Sequence, residues 1–208
     1  MPKRSKIIQL GPISCFGILE PMIKAIIFDF FDVIRTDAYK AWLATHNIAH
    51  EGPYFDASYQ QDIGAITSEQ FLATLSQLTG RTVTFEEVDG AATVDHGTVA
   101  IVSALSKKYK LALISNAPSK LIRGILAEND LEQYFDVIVV SSEVGMVKPN
   151  HDIFQLALEK LGVAPSESVF IDDNIRHVEA AAKLDIQAIQ FKSAEQLQAD
   201  LANLGVTV

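Results

Sequence analysis

The sequence predicts an α/β fold, a doubly wound parallel sheet carrying a small all-helical insertion, and three observations lead there. Apolar runs of strand length recur along the chain, most of them ending in a polar residue. Segments with apolar residues at three- and four-residue spacing separate these runs, as helices covering a sheet require. The alternation lapses once, after the first strand, where only helical signals remain.

In chain order, residues 23–29 form an apolar run closed by an acid, the pattern of a buried parallel strand that delivers a chemical group at its carboxyl end. Residues 110–116, 136–142, 168–173 and 186–191 repeat the pattern. Residues 119–128, 152–161, 177–184 and 194–204 read as amphipathic helices. Between them, residues 39–48, 68–78 and a short stretch near 85–88 read as helices of the insertion, with Thr67 and Gln70 spaced as a capping box and a turn at Glu51, Gly52 and Pro53. The expected organisation is an N-terminal extension at 1–22, an α/β core at 23–36 plus 101–208, and a helical cap at 37–100 that closes over the strand ends as a lid. Lys3, Arg4 and Lys6 followed by apolar residues imitate a signal peptide, but Gln9, Gly11 and Pro12 interrupt the apolar stretch, and Pro12 stands where a lipid-attachment site before Cys15 usually carries leucine.

Hydrophobic residues make up 49% of the 208 and charged residues 21%, an ordinary globular balance. A net charge of -9 with no long basic run opposes nucleic acid and anionic membrane surfaces, leaving a small molecule as the expected partner. Oligomeric state has no signature in the chain. Cys15 is the single cysteine, which excludes intramolecular disulfides and suits a cytoplasmic setting. No apolar stretch reaches the length of a spanning helix.

The chemistry gathers at strand ends. Asp29 closes IIFD, the pair Asp172 and Asp173 closes VFIDD, and Lys148 stands in GMVKPN. Crowded carboxylates raise one another's pKa unless a cation neutralises them, so the cluster predicts a hard divalent ion, Mg2+ first. Ser115 and Asn116 end LALISN and offer a hydroxyl, an amide and nearby backbone N–H groups to a phosphate. Singly each signal is weak, because an acid after a strand is often a helix N-cap and Lys-Pro is common in turns.

Together, the order Asp29, Ser115, Lys148, Asp172-Asp173, with the local text GMVKPNHDIFQLAL and VFIDDNIRHVEAA, resembles the four motifs of the haloacid dehalogenase (HAD) superfamily over residues 23–191, in the phosphatase-like subgroup with a helical cap after the first strand. The resemblance implies a Rossmann-like core and a hydrolase acting on a small phosphorylated metabolite. It implies Asp29 as nucleophile forming an aspartyl-phosphate, and Ser115, Asn116 and Lys148 at the phosphate. It places Mg2+ on Asp29, the backbone carbonyl of Phe31 and Asp173, with Asp172 in support.

One departure is plain. The family usually reads Asp-x-Asp-Gly where this chain reads Asp29-Phe30-Phe31-Asp32, and phenylalanine cannot protonate a leaving alcohol or activate water. Asp32 is a conceivable substitute, since Asp tolerates a left-handed backbone. Two other readings stay open: an impaired pseudo-enzyme that binds a phosphorylated ligand, and a 2-haloacid dehalogenase, whose leaving halide needs no proton. The acidic pair opposes the latter by repelling a carboxylate substrate. The histidines at 46, 50, 96, 151 and 177 form no metal pattern, and Trp42 reads as core.

Overall fold

The computed structural model describes residues 22–208, so the expectations for residues 1–21 lie outside the described residues. Strands β1 (Ala25–Phe28), β2 (Lys110–Ser115), β3 (Val137–Val140), β4 (Ser168–Asp172) and β5 (Gln187–Gln190) form one parallel sheet in the order β3-β2-β1-β4-β5. Phe28 sits opposite Leu113 on one side and Ile171 on the other. The Asp29 amide extends this ladder by donating to the Ile171 carbonyl at 2.8 Å. The central strand therefore leaves the sheet with Asp29 level with Asp172, and the end of β2 lies on its other flank.

Ten α-helices occur in chain order among the described residues: α1 (Ala38–Thr45), α2 (Pro53–Asp62), α3 (Ser68–Thr79), α4 (Phe85–Asp89), α5 (His96–Leu105), α6 (Ser119–Glu128), α7 (Ser141–Val144), α8 (His151–Leu161), α9 (Ile175–Ala182) and α10 (Ala194–Asn203). Successive strand residues point to opposite faces, and both faces are apolar, so both are covered. Ile26, Phe28, Leu113 and Ile171 pack with residues of α5, α6 and α10, such as Leu105, Ile122 and Leu197. Ile27, Ile114 and Phe170 pack with Phe154 and Leu158 of α8 and Ala181 of α9. This is the doubly wound sheet that the alternation of apolar runs predicts.

Helices α1 to α4 hold a separate apolar cluster of Trp42, Leu43, Ala57, Phe71, Leu75 and Val83. Their two connections to the sheet layer run side by side: the Thr36 amide donates to the Thr93 carbonyl at 3.0 Å and the Asp95 amide to the Ile34 carbonyl at 2.8 Å. Arg35 pairs with Asp89 of α4 through its two terminal guanidinium nitrogens, at 3.0 and 2.7 Å, pinning the cap at its neck. The Thr67–Gln70 capping box is present.

The elements differ from expectation in four places. The turn at Glu51–Pro53 opens a helix, α2, with Gly52 at φ 53 as its N-cap and Pro53 in its first turn; only Ala57 and Gln61 are buried, so it carries no apolar stripe to announce it. The expected boundary at 100/101 falls inside α5, whose Ile101, Val102 and Leu105 belong to the sheet cluster. Strand β3 stops at Val140, and Ser141 and Ser142 turn into α7. Helix α9 begins at Ile175, two residues ahead of the expected start, because the Asn174 side chain caps it. Among the described residues no helix is long and apolar enough to cross a membrane.

Candidate active site

Parallel strands end on the same edge of their sheet, so groups placed just after them converge although they are remote in sequence. Asp29, buried to 6% exposure, accepts at Oδ1 from the Phe30 amide and from Lys148 Nζ, both at 2.6 Å. The same ammonium donates to Asp172 Oδ2 at 2.7 Å. Lys148 thus bridges the first and fourth strand ends from the β3–α8 segment, and it is itself buried.

Two side chains hold this bridge in place. The Asn116 amide donates to the Lys148 carbonyl at 3.0 Å and its oxygen accepts from the Lys148 amide at 2.8 Å, so Asn116 acts on the site by fixing Lys148. Asp172 also accepts from the Asn174 amide at 2.8 Å and meets His177 Nδ1 at 3.0 Å. Ser115, next to Asn116, is fully buried and its Oγ has no hydrogen-bond partner. An unsatisfied buried hydroxyl is costly, and it is the donor that an incoming oxyanion would satisfy.

Asp173 turns away from its neighbour. Its Oδ2 lies 3.3 Å from Lys40 Nζ, an ammonium that α1 also places 3.1 Å from Asp32 and 3.5 Å from Asp37. Asp32 occupies the left-handed region at φ 56, as its place in the glycine position of the motif requires, but its carboxylate is committed to Lys40 and to the Asp37 amide at 2.8 Å. It is not a free replacement for the carboxylate absent at position 31.

Electrostatics follow from this crowding. Burial, and next the charge of Asp172, push the Asp29 carboxyl well above its ordinary value, against the pull of Lys148. Burial also works against Asp172, yet the Lys148 ammonium and His177 outweigh it and hold Asp172 below the usual carboxylate range. For Lys148 the two carboxylates overcome burial and raise its pKa. Burial raises Asp173.

The donor set fits a hard divalent cation. Ligand atoms of Asp29, Asp172 and His177 lie within 4.8 Å of one another among the described residues. Imidazole is a poor ligand for Mg2+, which prefers oxygen; the Asp173 carboxylate lies against Lys40, outside that group, and no donor among the described residues reaches the Phe31 carbonyl oxygen. Five carboxylates, Asp29, Asp32, Asp37, Asp172 and Asp173, face the ammoniums of Lys40 and Lys148 and the His177 imidazole, an imbalance that a cation would relieve.

Sequence reasoning missed Lys40 and read His177 as part of no metal pattern, whereas its ring nitrogen joins Asp29 and Asp172 in the group above. Both reach the cluster from helices, Lys40 from the cap and His177 from the first turn of α9, and nothing in their local text marks them. Trp42 is core, its ring packed in the cap cluster and its Nε1 donating to Glu87 at 2.9 Å. His46 Nδ1 donates to the Trp42 carbonyl and His50 Nε2 meets the Ser58 hydroxyl, so neither joins a metal group. The Phe31 ring, edge-on to Phe30 at 5.3 Å, lines a cavity of about 130 Å³ between cap and sheet, together with Asp37, Gln61, Asp62 and Asn116.

Comparison with known proteins matches this geometry to a family. The family model for haloacid dehalogenase-like hydrolases matches residues 23–185. The D-ribitol-5-phosphate phosphatase of Bacteroides thetaiotaomicron is 26% identical over 201 residues, 86% of this chain and 97% of that protein. A phosphorylated carbohydrates phosphatase of Thermotoga maritima is 40% identical over 84 residues, 40% of this chain and 39% of that protein. A HAD-family enzyme of Bacteroides thetaiotaomicron, solved as a magnesium complex, is similar at a TM-score of 0.66 and 25% identity, over 82% of this chain and 93% of that one.

Proposed function

The chain belongs to the haloacid dehalogenase-like hydrolase family, and from that membership we propose that it is a Mg2+-dependent phosphatase of small phosphorylated metabolites, working through an aspartyl-phosphate on Asp29. Sugar and polyol phosphates are the favoured substrate class, because two relatives are named for such substrates.

The observation that carries the reading is the convergence of Asp29, Lys148 and Asp172 with the unpartnered Ser115 hydroxyl beside them. In the proposed sequence, an Asp29 oxygen attacks phosphorus and the bond to the leaving oxygen breaks. Ser115 Oγ and Lys148 Nζ donate to the transferring phosphoryl oxygens, where charge spreads in the transition state. Water then attacks the aspartyl-phosphate and frees Asp29. Bound Mg2+ would supply neutralisation of phosphate charge, and Asp29, the Phe31 carbonyl and Asp173 would hold it with Asp172 in support. Residues 37–95, the expected cap shortened by the start of α5, would act as a lid that excludes water.

Phosphate release tests the reading. The purified protein with Mg2+ is expected to hydrolyse an activated aryl phosphate and members of a sugar-phosphate panel, and to stop on chelation or in Asp29→Asn. Phe31 favours one rival, a binder without turnover; phosphate binding with no release and no phosphorylated enzyme would establish that rival instead. Halide release from 2-haloacids without Mg2+ would establish the dehalogenase.

A further inference from the structure

The chemistry above lacks one group. A poor alkyl leaving group needs a proton as its bond to phosphorus breaks, and the attacking water must lose one; Phe31 supplies neither and Asp32 is engaged elsewhere. A carboxylate does reach this region from the cap.

Asp62 is the last residue of α2 and lines the same cavity as Phe31 and Asn116. Its position is latched from the sheet side. The Ser141 hydroxyl donates to the Asp62 carbonyl at 2.5 Å and accepts from the Ala117 amide at 2.9 Å, tying the end of α2 to the segment that follows Ser115 and Asn116. Two residues on, Gly64 at φ 76 lets the cap backbone approach Ser142 so closely that a Cβ there would stand 2.7 Å from the Ser142 carbonyl oxygen.

We propose that Asp62 is the proton donor and acceptor of this enzyme, a carboxyl group brought by the cap in place of the one missing at position 31; the proposal rests on the phosphatase reading. As the phosphorus–oxygen bond of the ester breaks, the departing oxygen takes the Asp62 proton and leaves as the alcohol. The Asp62 carboxylate then takes a proton from water as the water oxygen bonds to phosphorus. The Asp29–phosphate bond breaks, and inorganic phosphate leaves with Asp62 protonated again.

Burial pushes the Asp62 carboxyl up to about 7, the charge of Asp37 adding to the effect and Lys148 opposing it. Such a group holds its proton for the first step and can take one in the second at neutral pH. The other titratable groups on the surrounding elements include Tyr39 in the cavity lining, which burial raises, Lys40, paired with Asp32, Asp37 and Asp173, Asp56 and Tyr59 on α2, His50, which burial holds below its ordinary value, Asp89, paired with Arg35, Glu69 on α3, Lys120 on α6, and Glu143, paired with Arg123.

The test compares wild type, Asp62→Asn, Asp62→Glu and the double variant Asp62→Asn with Phe31→Asp, each with Mg2+, on an alkyl and an aryl phosphate. Asp62→Asn is expected to lower kcat on the alkyl ester about a hundred- to ten-thousand-fold and on the aryl ester less than about tenfold. Asp62→Glu should recover part of the alkyl rate, and Phe31→Asp should recover it in the double variant, which a purely structural role of Asp62 would not produce. Equal losses on both esters, or no loss on the alkyl ester, overturn the proposal and leave the phosphatase reading standing. A wild type that cleaves neither ester overturns both. Carboxyl titration by NMR in the folded wild type gives a readout apart from turnover: a midpoint near neutrality supports the assignment, and one in the ordinary carboxylate range overturns it.

Discussion

Ser115 shows the division of labour at the residue scale. Its hydroxyl is buried without a partner, so the fold bears the cost of an unsatisfied donor, one that the proposed phosphate would satisfy. Ser115→Ala is therefore expected to leave stability unchanged or raise it slightly, while kcat/KM for phosphate esters falls about a hundredfold or more, as when one oxyanion donor is removed. Thermal unfolding and steady-state kinetics on the same preparation check the two halves, and a parallel loss of both would contradict them. Asp29, Ser115 and the acidic pair were legible because each ends an apolar strand and parallel strands deliver their ends to one edge, and Lys148 because of its GMVKPN text. Lys40, His177 and Asp62 were not, since they arrive from helices whose approach is decided by packing between layers. Asn116 was legible as a site residue, but its attachment to the Lys148 main chain depends on how the segment after β3 returns to the sheet.

At the scale of elements, the five strands and the helices that cover them could be read from periodicity, because both faces of the sheet demand apolar residues at a fixed spacing. Helix α2 escaped, as its outward position leaves Phe55 and Tyr59 exposed and only Ala57 and Gln61 buried, a pattern with no helical stripe. The start of α5 escaped too, since the neck of the cap pairs with itself at residues 34–36 and 93–95 and no turn motif marks the boundary. The seat of α2 on α7 is held by Gly64, whose positive φ and contact with Ser142 leave no room for a side chain. Gly64→Ala is expected to cost about 1–3 kcal/mol by strain and displacement, and to lower turnover of alkyl esters more than of aryl esters. Chemical denaturation and the ester ratio check this; an unchanged ratio would separate the seat of α2 from the chemistry.

Over the whole molecule, the charge imbalance at the strand ends and the Asp62 carboxyl of the cap give stability a pH dependence. Asp62 has a folded-state pKa of about 7 against an ordinary 3.8. The sign follows from proton binding: between these values the folded state holds the proton more tightly than the unfolded chain, so the contribution of Asp62 is fully present below about 3.8 and lost as pH rises towards about 7. Asp62→Asn, which cannot ionise, is expected to flatten the fall in unfolding temperature over that window, measured without Mg2+. A slope unchanged by the substitution would place the titrating group elsewhere. The account as a whole rests on Asp29 carrying the phosphoryl group, and the most direct test is to quench the enzyme in acid during turnover of an aryl phosphate with Mg2+ and map the modification by mass spectrometry. Phosphate is expected on the peptide containing Asp29 and absent in Asp29→Asn; turnover with that peptide unmodified, or with phosphate on another residue, would rule out Asp29 as the nucleophile.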